Sequence, residues 1–273
     1  MKHLNLYKLA AVVAALLCVV SCKKDNTLRY GNVTMGNFAE DKFISDQGNE
    51  FTIVENLTGD TFEGIERAIM QCDVLKKIDG TENCYEVRVH NLAEVLDKMP
   101  ISSVTAAEDP EKVVEDPISI QQLWVAGGYL NMYVTFEVQA YPENTDRKHM
   151  VNLVYIQEDL DKGKYTLALR HNAYGETLSA EKSEDTPVEG EGTPQEQSTE
   201  LIQWGLAGAY VSFPISTLVT EQEATLKLFW KEHVIINNVM TSDTMDRSVD
   251  ISYSKDYFEH TPLVVKSRTA AIK

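Results

Sequence analysis

The chain has 273 residues, with 25 Lys plus Arg against 42 Asp plus Glu and a formal net charge of -17. Phosphate backbones need clustered Lys and Arg to release counterions, and no such cluster is present, which argues against nucleic acid as a partner. The length suits one large or two small domains, and the acidity fits a soluble, self-repelling surface.

Lys2, His3 and Lys8 form a basic start ahead of an apolar run from Leu9 to Val20. That run of 12 residues is too short to span a bilayer as a helix, which needs about 20, and has the proportions of a secretory signal peptide. It ends in Val19-Val20-Ser21-Cys22, which resembles a bacterial lipobox. Residues 1–21 are expected to be removed and Cys22 to carry the lipid. At roughly 0.8 kcal/mol per buried methylene, several acyl chains, palmitate among them, hold a protein on a membrane. Lys23 follows the cysteine where an aspartate would favour inner-membrane retention, so the outer membrane of a Gram-negative bacterium is the expected location, facing either the periplasm or the cell surface.

Residues 22–31 read as lipid anchor and tether. Residues 32–100 then show short strands broken by turns: Val33 to Phe38, Phe43 to Ile53 around Asp46-Gln47-Gly48-Asn49, Ala68 to Lys76, and Cys84 to His90. Tyr85, Val87 and Val89 alternate with Glu86 and Arg88, a one-sided strand by period two. Cys72 and Cys84 flank the Asp79-Gly80 turn of a hairpin from Ala68 to His90, where they could form a disulfide in an oxidising envelope. A metal site needs more ligands than this pair supplies, so no metal is expected. Asn91 as N-cap with Glu94 three later, an apolar face of Leu92, Val95, Leu96 and Met99, and Pro100 as a stop predict one short helix. Four strands and a short helix suit an OB-like small barrel.

Residues 101–116 are small, acidic and proline-bearing and read as a linker. From 117 to 273 strand follows strand: Ile118 to Val125, a Gly127-Gly128 turn, Tyr129 to Val138, Met150 to Ile156, Lys164 to His171, Ala209 to Pro214, Ala224 to Val234 and Val249 to Ser254. That spacing without a long helix argues a β-sandwich, making the chain all-β. The stretch 176–200 has eight acidic residues, one basic residue and no aromatic, and is expected to be a flexible surface loop.

Four blocks, Asp116-Pro117-Ile118 through Leu123-Trp124, Gly127-Gly128-Tyr129-Leu130-Asn131, Lys148-His149 through Asn152-Leu153, and Arg170-His171-Asn172-Ala173-Tyr174-Gly175, together resemble the second half of NigD-like lipoproteins. The barrel-like first half and the lipobox agree with that resemblance. It implies an N-terminal OB-like domain followed by a β-sandwich, tethered to a bacterial envelope, with an immunity role suggested by the family's name and no catalytic residues to carry over.

Residue types for catalysis are scattered. Nucleophilic catalysis needs a nucleophile, a base and an orienting group within reach, and the chain has no Gly-x-Ser-x-Gly elbow, His-Glu-x-x-His helix or phosphate-cradling glycine loop. His171 shares parity with Leu169, Leu167 and Tyr165 and is expected to point inward, as a hydrogen-bonded core residue or as a ligand-binding or catalytic one, while Arg170 points outward. Trp230 has core parity with Leu226 and Leu228. Tyr133 and Asn131 occupy the polar face of their strand and are the surface-binding candidates. The leading expectation is a non-enzymatic, cofactor-free envelope lipoprotein that binds or assembles with an envelope protein or an extracellular ligand such as a glycan. The alternatives are an envelope glycan or peptide hydrolase and a bacteriocin immunity protein. An exposed cluster of His171, Arg170 and a carboxylate would favour the hydrolase; a buried, hydrogen-bonded His171 would favour the binder.

Overall fold

The computed structural model describes residues 28–29, 34–139, 149–175, 204–236 and 239–255. The signal segment 1–21, Cys22 and the acidic stretch 176–200 lie outside the described residues.

The first half contributes β1 (Leu28–Arg29), β2 (Thr34–Ala39), β3 (Lys42–Ser45), β4 (Glu50–Asn56), β5 (Arg67–Lys77) and β6 (Cys84–Glu94). Five of these close on themselves: β2 pairs with β3, β3 with β4, β4 in parallel with β6, β6 with β5, and β5 back with β2. Period-two alternation fills the interior. Ala68, Met70, Cys72 and Val74 of β5 and Val87 and Val89 of β6 meet Phe43 and Phe51, and all are buried. This is the small closed barrel expected.

The predicted helix around residues 91–99 is not formed. β6 instead runs on to Glu94, with Asn91, Leu92, Ala93 and Glu94 opposite Gln71, Met70, Ile69 and Ala68. Closure decides this: the start of β5 needs a ladder partner on that side, and unpaired buried backbone groups cost more than a local helical preference supplies. The apolar set splits accordingly, with Val95 3% exposed but Leu96 43% and Met99 57% exposed.

The hairpin register also overturns the Cys72–Cys84 disulfide. Cys72 lies opposite Val89, Cys84 pairs with Glu50 on β4, and both thiols are free. Five residues separate Val89 from Cys84, about 17 Å along a strand, against a Cα separation limit near 7 Å for a disulfide. The turn sits far enough from Cys72 that facing strands do not make facing cysteines.

The chain leaves the barrel directly into the second body. β7 (Leu96–Asp97) pairs in parallel with the end of a sandwich strand, and β8 (Ile101–Ser102) joins the other sheet. The expected linker is therefore structured: α1 (Ser103–Ala107) is capped by the Ser102 hydroxyl, which accepts from Thr105 N at 3.0 Å, and a 3-10 turn follows at Pro110–Val113. Ala106 is fully buried against Val154 and Ala168. Those two residues face outward from their sheet, and the short helix removes their apolar surface from water.

The remaining strands are β9 (Ser119–Ala126), β10 (Tyr129–Gln139), β11 (Met150–Tyr155), β12 (Tyr165–Asn172), β13 (Trp204–Pro214), β14 (Glu223–Ile236) and β15 (Val239–Ser254), with α2 (Gln157–Leu160) between β11 and β12. They form two sheets, β7-β13-β10-β9 and β15-β14-β12-β11-β8. Leu130, Met132 and Val134 of one face Leu153, Leu167 and Leu228 of the other in a single core, with Trp230 in it as its parity predicts. β13 and β15 are longer than the sequence indicates, because their added segments lack the clean alternation that marks the rest.

Candidate functional site

The four binding candidates fall in three separate environments. Gly127 and Gly128 carry positive φ values of 60° and 83° and turn the chain so that β10 runs back beside β9. Along β10, Leu130, Met132 and Val134 face the sandwich core, and Asn131, Tyr133 and Thr135 face the opposite side. That side is not wholly solvent, because the barrel sits on its lower end.

Asn131 is fully buried there. Its side-chain oxygen accepts from Arg67 Nη2 at 2.9 Å and from the Ser212 hydroxyl at 2.6 Å, and its amide donates to Asp46 Oδ2 at 3.3 Å. Arg67, 1% exposed, forms a bidentate pair with Asp46 at 2.9 and 2.7 Å and donates to Asn37 Oδ1 at 2.8 Å. Its guanidinium lies 3.8 Å from the centre of the Tyr129 ring. Met35 and Val95 of the barrel side pack with Trp124 and Ala126 around this network. The parity of Asn131 is as predicted, but its exposure is corrected: what looked like an outward polar face is the polar centre of a junction between two bodies. Arg67 and Asp46 were missed. Arg67 shares its strand face with Gln71 and Asp73, opposite the apolar Ala68, Met70, Cys72 and Val74, so parity alone gave no signal that it would be buried.

Tyr133 lies half-buried above the junction. Its ring packs against Tyr210 of β13, tilted by 39° with centroids 4.8 Å apart. It also lies across Gly208, where an added Cβ would run into the Tyr133 hydroxyl and come within 2.8 Å of its Cζ. The two tyrosines form a shelf flanked by Thr135, which accepts from Gln121 at 2.9 Å. Burial beside Tyr133 raises the Tyr210 phenol above its ordinary range.

His171 is 2% exposed. Its Nδ1 lies 3.0 Å from the Pro117 carbonyl oxygen, which only accepts, so Nδ1 carries the proton and Nε2 is the acceptor. Nε2 lies 3.0 Å from His149 Nδ1, which must then donate. Phe136 packs against both rings, at 4.6 Å from His149 and 5.3 Å from His171. Burial, with the neighbouring His149, pushes His171 down to about 4. Arg170 points the other way and pairs with Glu115, which also receives Lys231 at 3.1 Å. Burial alone would raise the Glu115 carboxyl, but Lys231 and Arg170 outweigh it and hold the carboxyl below its usual range.

Two further pairs escaped the sequence: the buried His233 Nε2 with Glu137 at 3.1 Å, and the half-buried Arg247 with buried Glu232 at 2.9 Å. Charged residues mid-strand announce such pairs only when the facing strand is known. Among the described residues no group of three or more His, Cys, Asp or Glu is placed to hold a metal ion.

Residues 100–184 match the model of the NigD-like C-terminal beta sandwich domain. That stretch, which holds β8 to β12, is similar to the NigD-like domain. Solved structures share the arrangement at low identity. A protein provisionally described as toxin-related, from Parabacteroides distasonis, has TM-score 0.52 and 19% identity over 82% of this chain and 92% of its own. A NigD-like immunity protein from Bacteroides caccae has TM-score 0.52 and 15% identity over 82% of this chain and 97% of its own. A provisionally described lipoprotein from Bacteroides fragilis has TM-score 0.50 and 13% identity, with the same coverages. At these identities the likeness is one of fold. No curated protein matches the sequence. Within the stretch similar to the NigD-like domain, the Arg170–Gly175 block is a strand end and its turn: Asn172 accepts from Tyr174 N at 2.9 Å, and Tyr174 and Gly175 carry φ values of 51° and 87°.

Proposed function

We propose that this chain is a lipid-anchored, non-enzymatic protein of the Gram-negative cell envelope whose two β bodies, at 32–100 and 117–273, present a surface to an envelope protein or an extracellular ligand. The observation that carries this reading is the state of His171. The one histidine placed as a catalytic candidate is sealed between Pro117, His149 and Phe136 and bonded at both ring nitrogens. Arg170 beside it is engaged by Glu115 on the opposite face. A general base has to reach a substrate proton, and a hydrolase built on this pair would have to dismantle its own corner first.

The junction supports the second half of the reading. A buried, bidentate Arg67–Asp46 pair shared with Asn131 holds barrel and sandwich in one orientation, and a fixed orientation lowers the entropy cost of presenting a composite surface. Of the four candidates, Tyr133 is the one whose placement suits contact with a partner: it is half-exposed, aromatic and seated on a rigid sheet. The anchor rests on the basic start, the Leu9–Val20 run and Cys22, and the outer membrane on Lys23. Immunity, as in the name of the Bacteroides caccae protein, would be one form of such binding, with a toxin as the partner.

Two experiments test this. Labelling cells with radioactive palmitate should mark the wild-type chain and not Cys22→Ser, which should also leave the membrane fraction; equal labelling of both overturns the anchor. Affinity capture from intact cells with the lipidated protein should recover a specific protein or glycan that Tyr133→Ala retains less well. Recovering none overturns the binding role.

A further inference from the structure

We propose that the open edge of β13 from Trp204 to Tyr210 is a self-association surface, pairing antiparallel with the same stretch of a second copy about a two-fold axis at Ala207. On one side of β13, β10 pairs residue for residue from Trp204 to Pro214 without a bulge. On the other side, β7 reaches only Val211 and Ser212. Among the described residues no strand pairs with Trp204–Tyr210 there. Free ladder groups on an edge template another strand, and edges are ordinarily blunted by lysine, proline, a bulge or an inward charge. Trp204-Gly205-Leu206-Ala207-Gly208-Ala209-Tyr210 has none of these, in a chain in which 25% of residues are charged. Leu206 is 64% exposed, the most of any large apolar residue among those described.

The occupant follows from charge and from pattern. Two copies at -17 each repel one another over most of their surface, and a stretch without charge is where they can approach. The stretch also matches itself. β7 occupies that side at Val211 and Ser212, so the stretch unpaired among the described residues is centred on Ala207 and spans about 23 Å. Antiparallel pairing about that centre sets Leu206 opposite Gly208 of the second copy, Gly205 opposite Ala209, and Trp204 opposite Tyr210. Leu206, the one large aliphatic residue of the stretch, thus meets a glycine. At Gly208 the Tyr133 ring already crosses from β10 toward the edge, so Leu206 of the second copy would land against it, and an aromatic laid over an edge glycine is a recurrent way to complete such a pair. A two-fold axis normal to the sheet keeps both barrels, and with them β1 of each copy, on the same face.

The test uses the full lipidated protein extracted in mild detergent, in a Cys84→Ser background. Directly opposed residues across an antiparallel pair have Cβ atoms about 5 Å apart, and diagonal ones more. Under mild oxidation Ala207→Cys should therefore cross-link to a dimer well ahead of Leu206→Cys and Gly205→Cys. In sedimentation without oxidation, Leu206→Lys, a change at an exposed position that leaves the fold intact, should raise the dimer dissociation constant by about tenfold through charge placed on the edge. A monomer at every concentration, cross-linking not led by Ala207→Cys, or an unchanged dissociation constant for Leu206→Lys overturns the proposal. None of these outcomes bears on the palmitate or capture experiments.

Discussion

At the junction, Arg67 and Asp46 are buried together as an ion pair with every carboxylate oxygen engaged. Some five residues further along β10, beside Phe136, His171 is buried as a neutral ring between a carbonyl and a second histidine. Both clusters take polar side chains out of water, and they settle the cost in opposite ways. The junction keeps its charges and surrounds them with partners, which makes it intolerant of losing any one of them. The corner gives up its charge, which makes it intolerant of acid instead.

The sharpest way to break that contrast is at the junction. Arg67→Met leaves Asp46 without its counter-ion and is expected to cost about 3–5 kcal/mol in urea unfolding, while Arg67→Met with Asp46→Leu should cost less than the single change. An additive double mutant would show that the pair is not coupled.

The corner predicts a pH dependence of known sign. A histidine held down to about 4 from 6.5 binds fewer protons folded than unfolded. Its contribution is therefore complete above pH 6.5 and is lost as pH falls through 4, worth at most about 3 kcal/mol. The difference in unfolding free energy between wild type and His171→Gln should shrink across that window; a constant difference would sink the neutral-ring account. Nitrogen NMR should also find His171 protonated at Nδ1.

A smaller effect tests the shelf between the two clusters. Gly208→Ala drives a methyl into the Tyr133 ring and should cost about 1–3 kcal/mol as overpacking. Tyr133→Ala should absorb most of that loss, and full additivity in the double mutant would mean the contact is not formed. Last, Cys84 should react with iodoacetamide in the native protein while Cys72, buried with its thiol pushed up to about 11, should not. Equal reactivity would place both outside the barrel core.

Much of the fold was legible because alternation is a local signal. Tyr85, Val87 and Val89, or Leu130, Met132 and Val134, declare a strand and its buried face in a few residues. The helix from Asn91 was misread for the same reason: its capping and spacing were locally sound, and only the need of β5 for a partner on that side overruled them. The site was less legible. Parity sent His171 inward and Arg170 outward, as found, but parity names a face and not what covers it. Asn131 was placed on the right face and then buried by a barrel that the alternation of β10 cannot see.

Local pattern sufficed for most of the strands, their inward residues and the turn at Gly127-Gly128, since each depends on neighbours a few positions apart. The tertiary structure decided the register that separates Cys72 from Cys84, the packing of residues 101–116, the Arg67–Asp46–Asn131 junction and the partner of each buried charge. Those contacts join residues 15 to 96 positions apart, and pairing at that distance is chosen by closure of the sheets and the cost of an unpartnered polar group, neither of which is written in any local pattern.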